Sequence, residues 1–265
     1  MYWQKRFDRE NPDKELEDKI LEMRSKHKDW GYRRIYGELR KDCVVNKKRV
    51  QRIMQKLGLQ VTSFTRKSRK YSSYRGKVGK IAPNRINRRF HTHIPHQKIA
   101  TDTTEFKYYE VDDKGRIILK KLYFDPFMDM FNSEILSYSI STKPSSTGIL
   151  TALKSAIEIT SDCPYRRTFH SDRGWAYQMK AYARTLKENR IFQSMSRKGN
   201  CYDNAVMENF FGIMKQEMYY GVVYYSYDEL KEAIENYIMY YNEQRIKAKL
   251  GWMSPVEYRL NLLAA

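Results

Sequence analysis

A run of 59 residues, 43–101, carries 16 Lys and Arg and not one Asp or Glu. Outside it the chain is nearly neutral, with 34 basic against 31 acidic residues, although the whole sums to +19. A stretch so charged cannot form a self-contained, charge-balanced globule. It calls for a phosphate polymer as counter-charge and sets apart the segments on its two sides. Within it, RKSRKYSSYRGKVGK (66–80) mixes basic residues with Ser, Tyr and Gly. That composition reads as an extended linker tracking a nucleic-acid backbone, with Arg66, Lys67, Arg69 and Lys70 as contacts. The flanks are not disordered, since 41% of all residues are hydrophobic and 14% aromatic. The three cysteines, Cys43, Cys163 and Cys201, form no CxxC pair, which argues against a disulfide framework or a Cys-rich zinc site. The N-terminal MYWQKRFDRE lacks a signal-type apolar stretch, and no run has the length to span a bilayer. The expectation is a cytoplasmic protein with no membrane partner.

Three helical patterns precede the linker. The first, Glu15–His27, spaces Leu16, Ile20 and Met23 helically. The second, Tyr32–Lys41, turns Ile35 and Leu39 inward. The third starts after Asn46, an N-cap residue, and stops at Gly58. One face of it holds Val50, Ile53, Met54 and Leu57; the other presents Lys47, Lys48, Arg49, Arg52 and Lys56. Two short helices, a turn and a basic third helix suit a helix-turn-helix unit whose last helix enters the major groove.

Beyond the linker the period changes. IATDTTEFKYY (99–109) reads as a strand with Asp102 inside it, followed by strands over 121–131 and 133–141 with a turn at Asn132. A helix over Ser146–Ile159, a strand 167–172, a helix Tyr177–Glu188, a strand 191–196 and a long helix Asp203–Tyr220 complete the set. Three antiparallel strands, then strands alternating with helices, give an α/β mixed sheet of ribonuclease-H-like order. Asp102 stands where Asp is disfavoured, and Asp172 ends its strand where such sheets place ligands. At 100° per residue, Asn204, Glu208, Phe211 and Lys215 share one helix face. Three hard oxygen donors without His or Cys support suit Mg²⁺ or Mn²⁺, and two such ions serve phosphodiester chemistry. Lys215 then faces the same pocket and a phosphate.

Asp172 and Glu208 are separated by 35 residues, and here the chain resembles the DDE transposases, which share that spacing with retroviral integrases. More narrowly it resembles the second-frame products of insertion sequences of the "IS three" family. The blocks that carry the likeness are GYRRIYGELR (31–40), TDTTEF (101–106), FHSDRGWAYQ (169–178), SMSRKGNCYDNAVMENFFGIMKQE (194–217) and YYNEQRIKAKLGWMSPVEYR (240–259). Two departures stand out: Ile99-Ala100 where relatives usually have an aromatic, and Arg173 where they often have Gln.

The resemblance implies an integrase core with Asp102, Asp172 and Glu208 as catalytic, metal-binding triad. It also implies Mg²⁺-dependent 3′-end cleavage and strand transfer. The implied partners are double-stranded DNA (terminal repeats and target) and a homodimer or higher assembly on the bacterial nucleoid. The chain lacks the first-frame region of such elements, so the first-frame protein is a further expected partner. The domain expectation is a helix-turn-helix domain 1–60, a linker 61–96, a catalytic domain 97–222 and its helical extension 223–265. In that extension Leu230, Ala233, Ile234, Tyr237, Ile238 and Tyr241 form a stripe for core or subunit contact. A non-catalytic DNA-binding regulator and a ribonuclease-H-type metal nuclease are the alternatives; the 35-residue spacing and the upstream helices argue against the nuclease. His91, His93 and His96 lack a cysteine pair, which makes zinc a minor reading. His170, by strand alternation, points with Asp172, and Asp125 and Asp129 compete as metal ligands.

Overall fold

The structure, a computed structural model, describes residues 11–61 and 79–263. Among these, one compact unit comprises 11–61 with Ile246–Met253, and a second comprises 79–245 with 254–263.

The first unit is helical: α1 (Lys14–Lys26), α2 (Tyr32–Asp42) and α3 (Lys47–Lys56). Each lies within two residues of the span that periodicity predicts. Asn46 caps α3 as expected, its side-chain oxygen accepting the Lys48 N–H at 2.8 Å. The inward residues are Ile20, Ile35, Leu39, Val50, Ile53 and Met54, joined by Trp30. So few apolar side chains make a small core, and the chain enlarges it with Ile246 and the partly buried Trp252. Gly37 permits this: a Cβ there would lie 2.4 Å from the Trp252 ring. The expected extension 223–265 is therefore split, because 246–253 serves the helical core.

The second unit contains six strands: β1 (Lys98–Thr101), β2 (Thr104–Val111), β3 (Ile117–Asp129), β4 (Ile135–Ser141), β5 (Thr168–Ser171) and β6 (Phe192–Met195). Its helices are α4 (Ser146–Ile159), α5 (Lys180–Glu188), α6 (Ala205–Met214, continued by a π-helical turn Lys215–Tyr219), α7 (Tyr227–Glu243) and α8 (Pro255–Leu263). β3 lies between β4 and the β1–β2 segment, antiparallel to all three; β5 is parallel to β1, and β6 to β5. This is the expected ribonuclease-H-like sheet. Ala100, Phe106, Tyr108, Leu122, Phe124 and Met128 pack on one face against α6 and α7. Ile99, Phe127, Phe169 and Met195 pack on the other against α4 and α5. Neighbours such as Ile99 and Ala100 thus serve opposite cores, as a sheet covered on both faces requires.

Several local expectations need correction. The 99–109 strand is interrupted at Asp102–Thr103, although Thr101↔Phe127 and Thr104↔Phe124 keep one register across the gap. That register sets Asp102 opposite Pro126, which has no N–H to give a ladder. The expected helix Tyr177–Glu188 is not continuous: Tyr177 lies in a tight 3₁₀ turn, Trp175–Gln178, and α5 begins at Lys180. There the Tyr177 carbonyl accepts from Gln193 Nε2 at 2.7 Å. On α6 the buried stripe is Met207, Phe210, Phe211 and Met214, so Phe211 belongs to the core and not to the Glu208 face. Residues 79–96 do not behave as linker: Ile86 is buried, and the Arg85 N–H donates to Ser194 Oγ at 2.9 Å. The linker contacts Arg66, Lys67, Arg69 and Lys70 lie outside the described residues.

Candidate active site

Parallel pairing builds the site's first half. Ala100 aligns with His170 on β1 and β5, so the residues just past each strand's end, Asp102 and Asp172, emerge side by side at the carboxyl edge. Neighbouring strands lie only about 4.8 Å apart. Asp102 Oδ1 accepts the Thr103 N–H at 2.8 Å, and its Oδ2 accepts from Asn204 Nδ2 at 2.8 Å. Asp172 Oδ1 accepts the Gly174 N–H at 2.7 Å, and a Cβ on Gly174 would crowd that oxygen at 2.9 Å. Asn204 immediately precedes α6, so its bond to Asp102 brings the first turn of that helix, with Glu208, to the same edge.

The electrostatics is that of like charges forced together. Burial pushes the Asp102 carboxyl well up, and the charges of Asp172, Glu208 and Asp125 push the same way against the Thr103 N–H. Burial likewise raises Asp172 and Glu208. Among the described residues no Lys or Arg forms an ion pair with any of these three.

Sequence reasoning raises Asp125 and Asp129 together; the structure separates them. Asp125 is buried behind the site, accepting from Thr103 Oγ1 at 2.5 Å and Ser139 Oγ at 3.0 Å. Asp129 ends β3 and holds a turn through the N–H groups of His96 and Phe131. The sequence assigns Tyr177 no role at the site. Its hydroxyl lies 3.5 Å from Thr101 Oγ1 and 3.4 Å from Thr103 Oγ1. Burial, then the charges of Asp125, Asp102 and Asp172, hold it protonated far above the usual tyrosine range. Asp203 is likewise assigned none, a fully buried side chain gripped by Arg197 (2.9 Å to each oxygen) and by Arg88 (3.2 Å). The Arg197 bonds hold its carboxyl far below the usual range. Both residues lie within the blocks that carry the family likeness, but only register or a distance reveals what each one holds.

His170 is structural: Nδ1 lies 2.8 Å from Ser194 Oγ and Nε2 2.8 Å from the Asp203 carbonyl, and burial lowers its pKa. Arg173 Nε donates to the Ser196 carbonyl at 2.7 Å. His96 Nδ1 pairs with Asp162 at 2.6 Å, away from the edge-to-face pair of His91 and His93. Among the described residues no three His, Cys, Asp or Glu side chains stand together as metal ligands, the triad included. The donor chemistry nevertheless suits a hard divalent cation: three carboxylates without a cationic partner, and beside them a buried Asn204 Oδ1 with no hydrogen-bond partner.

The basic candidates divide. Lys215 does not point a free ammonium at a phosphate; Nζ donates to the Glu105 carbonyl at 3.0 Å and lies over the Phe106 ring. On α3, Arg49 and Arg52 pair with Asp13 at 2.7 and 2.8 Å, and Lys56 pairs with Glu17 at 2.7 Å. Lys47 and Lys48 are exposed at the start of α3 and form no ion pair among the described residues. No helix among the described residues is long and apolar enough to cross a membrane.

Comparison with known proteins identifies the family. Residues 92–201 and 208–263 match two family models each described as an integrase core domain, and residues 10–68 match an HTH-like domain. An uncharacterized transposase-like protein of Haemophilus influenzae is 44% identical over 85% of this chain and 98% of its own. The transposase InsF for insertion sequence IS3A of Escherichia coli is 31% identical over 91% of this chain and 80% of its own. Among solved structures, the HTLV-2 integrase catalytic core domain in complex with magnesium covers 62% of this chain and 97% of that one. Its TM-score is 0.44 at 17% identity, too low to carry weight beside the sequence relatives.

Proposed function

The chain belongs to the insertion-sequence transposases with an integrase core, and from that premise we propose that it performs 3′-end cleavage and strand transfer with Asp102, Asp172 and Glu208 as its catalytic carboxylates. The supporting observation is the register that ends β1 and β5 in adjacent aspartates, with Asn204 tying the Glu208 helix to them.

Asp102, Asp172 and Glu208 would hold Mg²⁺ or Mn²⁺, two ions per site. Such ions, when bound, supply the Lewis acidity that phosphodiester exchange needs. The protein's own part is positional. The Thr103 and Gly174 N–H groups and the Asn204 amide fix the carboxylate rotamers. Tyr177, protonated and buried, closes the floor beneath Asp102 and excludes water from that side. Water attacks the element end and frees a 3′ hydroxyl, which then attacks a target phosphodiester; no covalent protein intermediate is required. Double-stranded DNA is the substrate, with Lys47 and Lys48 of α3 as unpaired candidates for its backbone. A homodimer or larger assembly, the first-frame protein as partner and action on the cytoplasmic nucleoid complete the proposal.

Labelled DNA bearing the element's terminal repeats, incubated with Mg²⁺ or Mn²⁺, tests it. Wild type should cleave and join, and Glu208→Gln should lose both by on the order of a thousandfold. Mn²⁺ should also raise the melting temperature of wild type but not of Asp172→Asn. Cleavage without joining would favour the nuclease reading; binding with no chemistry, even with first-frame protein added, would favour the regulator.

A further inference from the structure

The β2–β3 hairpin reaches past both cores. On one of its faces Phe106, Tyr108 and Leu122 are buried. The cross-strand pairs Tyr109↔Leu119 and Val111↔Ile117 share the other face. They stay exposed, at 38%, 48%, 66% and 68% respectively. Two adjacent rows of large apolar side chains form a contiguous patch, which marks a contact surface and not chance exposure.

The charges around the patch are incomplete. The next row sets Lys107 directly opposite Lys121, two like charges in a position where they repel. Lys121 reaches Glu105 at 3.0 Å, whereas Lys107 forms no ion pair among the described residues. At the turn, Arg116 answers Asp112 at 2.8 Å, and the exposed Asp113 likewise forms no ion pair among the described residues. The open edge of β2 is already occupied. The Tyr109 N–H donates to the Tyr224 carbonyl at 2.9 Å, and the Lys107 N–H donates to the Tyr219 hydroxyl at 3.0 Å. A partner therefore has the face to meet, not the edge.

We infer that this face docks on the same face of a second copy of this chain. Stacked hairpins related by a two-fold axis between the two apolar rows place Tyr109 and Leu119 of each copy over Val111 and Ile117 of the other. The same operation brings the Lys107 row of each copy over the Asp113 turn of the other, so the unpaired charge of one strand row is met by its opposite. A nucleic acid would meet Lys107 and Lys121 on one side of the patch but would leave the four apolar side chains uncovered and face the acidic Asp112 and Asp113 at the turn. The inference rests on the proposed function only for why two copies are wanted: two element ends are handled together.

Sedimentation of the full-length chain, without DNA or metal, provides the test. Wild type should dimerise, and Ile117→Asp should weaken the dimer by about tenfold or more. Lys107→Asp and Asp113→Lys should each weaken it several-fold, and combining them should restore most of the loss. Each of three results overturns the inference: a wild type that stays monomeric, indifference to Ile117→Asp, or a double variant no better than its parents. So does a Lys107→Asp variant that loses DNA affinity while self-association persists, which would make the face a nucleic-acid contact. Because none of these readings needs catalysis, a failed cleavage assay leaves them standing.

Discussion

In the shell of the α/β unit three buried acids are each held by an arginine. Arg197 and Arg88 hold Asp203, Arg245 holds Glu217 at 2.7 Å, and Arg259 holds Glu134 at 2.8 Å. At the carboxyl edge of the same sheet, Asp102 and Asp172 receive only backbone and amide donors, although each adds to the other's cost. A fold that neutralises its structural acids has the means to neutralise these two. Leaving them unpaired costs stability, and sites that bear such a cost are characteristically functional. The contrast also explains why Asp203 sits one residue before Asn204: the most tightly held acid anchors the segment that delivers the amide to Asp102.

The largest expected effect sets one region against the other. The side chains of Glu217 and Arg245 are 4% and 6% exposed, and the Tyr237 hydroxyl donates to the same carboxylate at 2.9 Å. Arg245→Met leaves that buried charge without its arginine, so urea unfolding should show a loss of about 3–5 kcal/mol. Asp172→Asn removes a carboxylate that burial disfavours and keeps an acceptor for the Gly174 N–H. It should cost little or stabilise while, on the proposal, ending catalysis. Equal losses in the two variants would break the comparison.

Asp129 is an intermediate case, buried like the shell acids and without an arginine. Burial pushes its carboxyl up from 3.8 to about 6, against the N–H bonds from Phe131 (3.0 Å) and His96 (2.8 Å). The folded chain therefore keeps the proton to about pH 6, whereas the unfolded chain releases it near 3.8. Its contribution is full below the lower value and is lost as pH rises through the upper one. Asp129→Asn turns an amide NH₂ toward one of those two donors, at about 1–3 kcal/mol. The wild-type minus mutant difference in unfolding free energy should decline across that window; a flat difference refutes the assignment.

The sequence reveals whatever depends on local period. α4 runs over Ser146–Ile159 as expected, and α1–α3 differ by a residue or two, because apolar spacing and the Asn46 cap are local signals. The succession of strands and helices along the chain is legible from the same alternation. Pairing is not: that Asp102 falls opposite Pro126, or that Tyr177 reaches Thr103 from 74 residues away, depends on register between distant segments. Spacing alone puts Phe211 on the wrong face, because a helix has two candidate stripes until its neighbours choose one. Likewise, the basic face of α3 reads as free in the sequence, although its acidic partners, Asp13 and Glu17, lie on and just before another helix.

Those partners supply the smallest effect. Asp13 pairs with both Arg49 and Arg52, whose side chains are 42% and 69% exposed, and the Arg49 hydrogen bond first of all lowers its pKa. Exposed pairs of this kind contribute less than about 1 kcal/mol, so a phosphate can displace the carboxylate at little cost. Asp13→Asn should therefore barely change the melting temperature. It should raise DNA affinity by roughly twofold to threefold at low salt if the freed guanidinium groups reach the backbone, an advantage that salt then removes. Lys47→Ala, which breaks no ion pair, should instead lower affinity and reduce the slope of log K against log salt by about one. A Lys47→Ala variant with unchanged slope would take the start of α3 off the DNA. An Asp13→Asn variant with unchanged affinity would make its two arginines structural, like those that hold Asp203 and Glu217.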